Sequence, residues 1–330
     1  MKEYIVTNDM AMQRLDKYLK RLLPSCPSGL LYKQLRKKNI TLNDVKADGS
    51  EMIEEGDTVK IWFSDETIKK FSASEKTDIA KYIEIYKNFR DKIEVIAKDN
   101  ALGFVIFNKP AGILSQSDKS GDPSINDYLI GYLFSNDLIT EESFNITKPS
   151  VCNRLDRNTT GIIYCSMNLK GVRFYNAVLR NGGEKYYLAL VEGKFDKEGI
   201  FEDYIKKNES ENRIYFTEET DPDSLYIKTG FELIKACDEI SLVKVRLFTG
   251  RSHQIRAHLS HLGFPIVGDP KYGRKDSKIK ASRQMLHAYN YCREGNPGDR
   301  FSWFDVTAPV PEDMAKICNK YLGPIEDYLK

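Results

Sequence analysis

A polar, lysine-rich stretch at residues 64–92, without glycine or proline, divides this chain into two units with different patterns. Residues 1–63 combine two short amphipathic segments with short alternating strands, whereas residues 93–330 alternate strand-like and helical segments. The length of 330 residues also favours about two hydrophobic cores. We therefore predict a small α/β domain at 1–63, a partly helical linker at 64–92 and a larger domain of strands and helices at 93–330.

The composition is that of a soluble, folded protein, with 41% hydrophobic and 30% charged residues. No apolar run approaches the roughly 18 residues that span a bilayer, and the first residues contain no apolar signal segment. We therefore expect a cytoplasmic protein without a membrane partner. The net charge of +2 is too small to indicate nucleic acid by itself.

Cofactor and metal motifs are missing from the sequence. The six cysteines lack the paired spacing of a zinc site or a disulfide framework, so we expect reduced thiols. There is no Walker loop and no GxGxxG segment, so no nucleotide cofactor and no metal are predicted. Without a heptad seam or a large apolar surface stripe, a monomer is expected.

The first unit concentrates positive charge on two predicted helices. The segment RLDKYLKRLL, which starts at Arg14, repeats apolar residues at the i, i+3, i+4, i+7 and i+8 positions of one helix face. A second amphipathic segment, LLYKQLRKKNI, follows the loop PSCPSG. From Arg14 to Lys38 there are eight basic residues and one acidic residue. Charge alone fits a solvated helix face and an RNA-binding face equally well.

The order of parts in this unit resembles the small S-four-like RNA-binding domain, in which two basic helices precede a small strand ribbon. This resemblance implies that the helical face contacts the RNA backbone, with salt-dependent and weakly sequence-specific affinity. The matching positions are Arg14-Leu15-Asp16, the cluster from Arg36 to Lys38, Ile40, Gly49 and Gly56-Asp57. The residues expected to contact RNA are Arg14, Lys17, Arg36, Lys37 and Lys38.

Three stretches of the second unit hold unusual combinations of side chains. In NRLDRNTTG, a polar turn before an apolar strand places Asp156 at the strand edge. In EKYYLALVEG, Tyr187 begins an alternating strand face. In TGRSHQIRAHLSHLGFPIVGDPKYG, Ser252 is the predicted N-cap of a helix whose first turn holds or adjoins the basic residues Arg251, His253 and Arg256.

Each stretch alone also has an ordinary structural explanation. An aspartate beside arginines is most often a surface ion pair worth under about 1 kcal/mol. A strand tyrosine is more often part of the core than of a binding site, and a helical arginine usually covers apolar surface. Any one of these stretches by itself would therefore favour a purely structural role.

Together the stretches resemble the RluA-type pseudouridine synthases. The segments FNKPAGILSQ, NRLDRNTTG, EKYYLALVEG, TGRSHQIRAHLSHLGFPIVGDPKYG, RQMLHA and APVPEDM occur in the order of that family, over roughly residues 93–314. The resemblance implies an α+β fold with a central mixed, largely antiparallel sheet and a cleft across its middle. It also implies an enzyme that isomerises uridine in RNA to pseudouridine without a cofactor or a metal.

The resemblance assigns roles to individual residues. Asp156 corresponds to the catalytic aspartate, and Arg256 is its partner, which we expect to keep the carboxylate ionised and oriented. Tyr187 is expected to stack on the target uracil, and Arg154 to fill the space that the flipped base leaves. The substrate-binding set implied is Tyr187, Arg256, Arg154, Arg251 and His253, the last as a hydrogen bonder that organises the site.

Two positions depart from the family pattern. Asn153 stands where histidine is usual, and an amide keeps a hydrogen bond but not a charge. Thr160 replaces the usual serine, a mild change. The sequence leaves open whether Asp156 attacks the ribose, attacks the base or removes a ribose proton.

Several alternatives remain at this stage. A metal site could use His253, His258 and His261, although no cysteine or carboxylate pair completes it. Cys152 is a candidate nucleophile without an evident base. A glycosidase would need two carboxylates flanking one bond. A catalytically silent RNA-binding assembly factor would have lost Asp156, Tyr187 or Arg256, and all three are present.

The RNA substrate is suggested by the domain combination alone. An S-four-like domain joined to this type of synthase is usual among members that act on large-subunit ribosomal RNA, which is therefore the expected substrate. Transfer RNA is the alternative substrate.

Overall fold

The computed structural model describes residues 1–8, 10–72, 78–208, 210–211, 213–293 and 304–329. The first unit contains, in chain order, β1 (Lys2–Ile5), β2 (Gln13–Arg14), α1 (Leu15–Leu22), α2 (Ser28–Arg36), β3 (Ile40–Leu42), β4 (Val45–Lys46), β5 (Met52–Ile53) and β6 (Thr58–Ile61). Four of its strands form a sheet in the order β1-β6-β3-β4, and β2 pairs with β5. The predicted pattern of two helices followed by short strands is therefore present.

The apolar stripe predicted on the first helix faces the core of this unit. Buried side chains from α1 and α2 pack together with the strands: Leu15, Tyr18, Leu19, Leu22, Leu31 and Leu35. The five basic residues expected to contact RNA are exposed to solvent: Arg14, Lys17, Arg36, Lys37 and Lys38. Ile146 and Leu169 of the second unit pack against the same core, so the two units are in contact.

The stretch expected to be a linker contains two helices, α3 (Asp65–Ser72) and α4 (Ile79–Phe89), while residues 73–77 lie outside the described residues. α4 packs against a helix of the second unit, with Ile85 buried and the Tyr86 ring 5.5 Å from that of Tyr128. Its charged residues face solvent, which explains why the segment looks like a linker in sequence. We propose that the second domain begins near residue 79 rather than residue 93.

The second unit is built on one large sheet. Its strands are β7 (Glu94–Asp99), β8 (Phe104–Lys109), β9 (Ser150–Val151), β10 (Thr160–Ser166), β11 (Gly183–Glu192), β12 (Gly199–Asn208), β13 (Arg213–Thr217), β14 (Leu225–Ala236), β15 (Ile240–Leu247), β16 (Leu286–Arg293) and β17 (Asp305–Thr307). The order is β13-β12-β14-β15-β11-β16-β10-β8-β7, with β17 beside β16 and β9 beside β10. Only the β10–β16 pair is parallel among the described strands, which confirms the predicted mixed, largely antiparallel sheet.

Helices flank this sheet on both sides of the central strands. They are α5 (Ile125–Ser135), α6 (Glu141–Ile146), α7 (Leu169–Arg180), α8 (Gln254–His261) and α9 (Glu312–Tyr321), followed by a 3-10 turn at Ile325–Asp327. Within the part of the chain that the structure describes, no helix is long and apolar enough to cross a membrane.

The centre of the sheet fixes the positions of the segments that hold the predicted site. All seven residues of β10 are buried, because isoleucine, tyrosine and cysteine side chains pack on both faces of the strand. The turn with Asp156 leads directly into this strand. β11 lies two strands away, with β16 between them, and α8 follows the end of β15. Three segments that are distant in sequence therefore meet above the middle of the sheet.

Candidate active site

A cleft of about 860 Å³ crosses the middle of the sheet. All six residues predicted for catalysis and substrate binding line it: Arg154, Asp156, Tyr187, Arg251, His253 and Arg256. The first two come from the turn before β10, Tyr187 comes from β11, and the last three come from the start of α8 and the turn before it. The cleft is large enough for a nucleotide and its neighbours.

Asp156 forms a direct ion pair with Arg256 at the floor of the cleft. Nη1 of Arg256 donates a hydrogen bond to Oδ2 of Asp156 at 2.7 Å. The aspartate side chain is 26% exposed and the arginine side chain 6% exposed, so the carboxylate faces the cleft and the guanidinium lies behind it. Oδ1 of Asp156 receives no hydrogen bond from the described residues.

A second carboxylate locks Arg256 in place. Nε and Nη2 of Arg256 donate to Oδ2 and Oδ1 of Asp269 at 2.7 and 2.8 Å, a bidentate pair with a fully buried aspartate. Burial opposes the charge of Arg256, but the hydrogen bond to Asp269 and the charges of Asp156 and Asp269 raise the pKa of its guanidinium above the usual value. Burial likewise works to raise the pKa of Asp269, but the contacts with Arg256 and the backbone N–H groups of Tyr272 and Lys271 lower that pKa overall. Asp269 therefore holds the guanidinium of Arg256 in position, and Arg256 in turn holds the carboxylate of Asp156.

His253 lies on the other side of Asp156. Its Nε2 is 4.0 Å from Oδ1 of Asp156, and its Nδ1 is 3.2 Å from the hydroxyl of Tyr272. Burial lowers the pKa of His253, and the charge of Arg256 contributes in the same direction, although Asp156 opposes the shift. A neutral imidazole at pH 7 fits the predicted role of a hydrogen bonder that organises the site.

The predicted helix cap at Ser252 is wrong. α8 begins one residue later, and His253 occupies the N-cap with a left-handed backbone, φ 54°, and no side-chain cap. The turn is closed instead by Gln254, whose Oε1 accepts the backbone N–H of Arg251 at 3.0 Å. This left-handed residue lets the chain turn sharply enough to bring His253 beside Asp156.

Tyr187 closes one wall of the cleft. Its side chain is buried in the middle of β11, and its hydroxyl is 3.4 Å from that of Tyr291 on β16. Burial raises the pKa of Tyr187 to about 12, so the phenol is protonated at neutral pH.

Two exposed arginines of the Asp156 turn differ in their contacts. Arg157 pairs with Asp122 at 2.6 Å on the protein surface. Arg154 lines the cleft, is exposed, and forms no ion pair or hydrogen bond with the described residues. Arg251 is also exposed at the rim. Arg154 and Arg251 are therefore available to a bound polyanion.

Lys109, at the end of β8, supports the Asp156 turn from below and was not singled out in the sequence. Its Nζ donates to the carbonyl oxygens of Pro110, Arg157 and Thr159 at 3.0, 2.8 and 2.9 Å. Burial lowers the pKa of Lys109 to about 7, and three carbonyl acceptors need the three N–H donors of the ammonium form. The segment FNKPAGILSQ was the available signal, because the lysine lies within it.

The alternative chemistries fit this geometry poorly. Burial raises the pKa of the Cys152 thiol to about 11, which disfavours a thiolate nucleophile. Both ring nitrogens of His258 are engaged, one by Thr229 and one by Asp203, each at 3.0 Å. The described residues contain no group of three potential metal ligands. Asp269 cannot serve as the second carboxylate of a glycosidase, because it is buried behind Arg256.

Comparison with known proteins identifies the family. The model of the RNA pseudouridylate synthase family matches residues 103–261. Ribosomal large subunit pseudouridine synthase C of Rickettsia conorii is 32% identical over 294 residues, which cover 87% of this chain and 91% of that protein. Ribosomal large subunit pseudouridine synthase D of Borreliella burgdorferi is 33% identical over 201 residues, 60% of each chain. The solved structure of Human RNA Pseudouridylate Synthase Domain Containing 4 has the same fold, with 17% identity and a TM-score of 0.56 over 73% of this chain and 97% of that one. The chain therefore belongs to the RNA pseudouridylate synthase family, whose members isomerise uridine in RNA to pseudouridine.

Proposed function

We propose that this enzyme converts one or more uridines of large-subunit ribosomal RNA to pseudouridine. The main support is the carboxylate of Asp156, held by Arg256 at the floor of a cleft that Tyr187 and exposed arginines also line. The relatives from Rickettsia conorii and Borreliella burgdorferi are both named as synthases of the ribosomal large subunit. A cytoplasmic monomer is the form that we propose for the enzyme.

Asp156 is the proposed catalytic residue. Arg256 occupies Oδ2, so Oδ1 is the oxygen that meets the nucleotide. A lone pair on Oδ1 would serve attack on the ribose, attack on the base or removal of a ribose proton, and each requires the carboxylate to be held still and ionised. The reaction breaks the bond from uracil nitrogen 1 to the ribose and forms one from carbon 5, with no net oxidation. It needs no redox cofactor.

Tyr187 and Arg154 are proposed to act on the flipped nucleotide. The buried Tyr187 ring offers a flat surface on which the uracil stacks. Turning a uridine out of a helical stack costs about a few kcal/mol. The unpaired guanidinium of Arg154 at the cleft would fill the vacated space and meet the phosphates around it.

The first unit is proposed to be an S-four-like domain that holds the RNA backbone. The five exposed basic residues expected to contact RNA lie in β2, on the two helices and in the turn after α2: Arg14, Lys17, Arg36, Lys37 and Lys38. Arg14 is partly engaged by Asp16 at 3.1 Å, while the other four make no ion pair with the described residues. Contact with phosphates would give affinity that falls as the salt concentration rises.

The proposed substrate is tested by mapping pseudouridines in total cellular RNA. We expect the deletion strain to lose one or more sites in large-subunit ribosomal RNA, and the wild-type gene, but not the Asp156→Asn gene, to restore them. If sites in transfer RNA are lost instead, transfer RNA and not ribosomal RNA is the substrate. Unchanged maps would contradict enzymatic action on both classes and favour a silent assembly factor.

Arg154→Ala is expected to lower activity on a structured RNA more than on an unstructured one. The arginine is needed only where a stacked base must be replaced, so we expect roughly a tenfold or larger loss in kcat/KM on a hairpin stem and a few-fold loss on a loop of the same sequence. Arg157→Ala is the matched control, since that arginine pairs with Asp122 on the surface. Equal losses on stem and loop would contradict the proposed role.

A further inference from the structure

Tyr187 belongs to a chain of hydrogen-bonding groups in the wall of the cleft. Its hydroxyl is 3.4 Å from that of Tyr291, and the Tyr291 hydroxyl is 2.9 Å from Nδ2 of Asn153. Tyr291 is only 1% exposed, so water has little access to the chain from this side. Asn153 is also the position that departs from the usual histidine of the family.

The backbone of β10 fixes the orientation of the Asn153 amide. Oδ1 accepts the N–H of Tyr164 at 2.7 Å, and Nδ2 donates to the carbonyl of Ile162 at 3.2 Å. A flipped amide would set donor against donor and acceptor against acceptor at these two contacts. The atom that faces Tyr291 is therefore the NH2 group, which can only donate.

This orientation sets the direction of each later hydrogen bond. The oxygen of Tyr291 accepts from Asn153, so the single proton of its hydroxyl is free to donate only to the oxygen of Tyr187, its one other polar neighbour among the described residues. The proton of Tyr187 is then turned away from Tyr291, towards the cleft that Asp156 also lines. Burial raises the pKa values of both phenols, so both protons are present at neutral pH.

We infer that Asn153 and Tyr291 are positioning residues that make the Tyr187 hydroxyl a hydrogen-bond donor towards the bound nucleotide. The inference rests on the proposed contact between Tyr187 and the target uridine. The partner would be an oxygen acceptor of the nucleotide, such as a uracil carbonyl. A neutral phenol that already accepts from Tyr291 is a poor proton acceptor. Tyr187 is therefore suited to orienting the nucleotide and to donating a proton, and it is poorly suited to removing one.

Tyr291→Phe tests the chain, because it removes the donor to Tyr187 and keeps the ring. We expect the single-turnover rate at saturating RNA to fall about tenfold, as for one lost oriented hydrogen bond, with KM unchanged. The carbon-13 resonance of the Tyr187 Cζ at pH 7 should shift, because it responds to hydrogen bonds at the phenol oxygen. Tyr289→Phe, on the same strand but outside the chain of contacts, should change neither quantity.

Asn153 provides the second half of the test. Asn153→Asp offers Tyr291 an acceptor, so Tyr291 should turn its proton towards residue 153 and the Tyr187 resonance should shift as in Tyr291→Phe. The double variant Asn153→Asp/Tyr291→Phe should be no slower than Tyr291→Phe alone, since each change reaches the Tyr187 hydroxyl through Tyr291.

The outcomes separate a positioning role from packing. An unmoved Tyr187 resonance in Tyr291→Phe would overturn the inference, even if the rate fell, because only packing would then have changed. Additive rate losses in the double variant would overturn it as well. The Tyr187 resonance is measured without turnover. The inference about Tyr187 can therefore be wrong while the proposed formation of pseudouridine is right. Conversely, a wild-type enzyme that is inactive on ribosomal RNA would still give the same resonance.

Discussion

Asp156→Asn is expected to abolish pseudouridine formation, with a loss of roughly 10⁴-fold or more in the single-turnover rate, as for other residues that take part directly in bond making. In the wild type, Nη1 of Arg256 lies 2.7 Å from Oδ2 of Asp156. The asparagine amide has nearly the same shape and keeps an oxygen for this contact, so the turn should stay folded. What is lost is the negative charge and the reactive lone pair. The rate is measured as tritium released from RNA labelled at uracil carbon 5.

Asp118→Asn is the matched control for this substitution. Asp118 also lines the cleft, but it bonds to Ser120 in its own loop and does not meet Arg256. We expect its activity to stay within about twofold of wild type, since a surface carboxylate contributes little. Asp156→Asn should still bind RNA and unfold at the wild-type temperature. Substantial residual activity in Asp156→Asn would mean that the reactive group lies elsewhere.

The family and the sheet were predictable from sequence because their signals are local. The segments with Asp156, Tyr187 and Arg256 are contiguous motifs, and the family that they resemble implies the mixed sheet, with which the strand-like segments are consistent. Their family assignment is confirmed by the match over residues 103–261 and by the Rickettsia relative. The three side chains are also brought to one cleft in the fold.

The supporting contacts were not predictable in the same way. The contact of Asn153 with Tyr291 joins positions 138 residues apart, and no periodicity in either segment indicates it. Lys109 looks like an ordinary strand-end lysine until the fold surrounds it with three carbonyl groups. The segment Ile79–Phe89 is helical as expected for part of the linker, but the charges on its outer face concealed that its inner face packs against the second unit. Tertiary packing decides all three.

Asp269 shows why the pair of Asp156 and Arg256 is only part of the electrostatic arrangement. An arginine whose flexible side chain met only one carboxylate would lose side-chain entropy each time it aligned the catalytic group. Here the bidentate pair with the buried Asp269 has already fixed the guanidinium plane. Asp156 therefore meets a donor that is oriented before the substrate arrives.

Arg256→Met is accordingly expected to be the most damaging change outside Asp156. It leaves Asp269 as a buried carboxylate without a cation, which costs about 3–5 kcal/mol in the free energy of unfolding at pH 7. It also frees Asp156, so the single-turnover rate should fall by about 10²-fold or more in protein that remains folded. Arg256→Lys should recover part of the stability but little of the rate, because an ammonium group cannot form the bidentate pair and reach Asp156 together.

The pH dependence of this loss of stability has a definite sign. In the wild type the pKa of Asp269 is lowered, so its ion pair contributes stability above its unfolded pKa of about 4 and loses it as the pH falls through the lower folded value. In Arg256→Met, burial without a cation raises the same pKa, and protonation relieves the cost. The difference in unfolding free energy between wild type and Arg256→Met, measured with urea, should therefore be large at pH 7 and become smaller towards pH 4.

Arg246→Met is the control, because it breaks the half-exposed pair with Glu184 outside the cleft. It should change the free energy of unfolding by less than about 1 kcal/mol, without this pH trend, and leave the rate unchanged. A gap for Arg256→Met that stayed constant between pH 7 and pH 4 would show that lost packing, and not the unpaired Asp269, causes the damage.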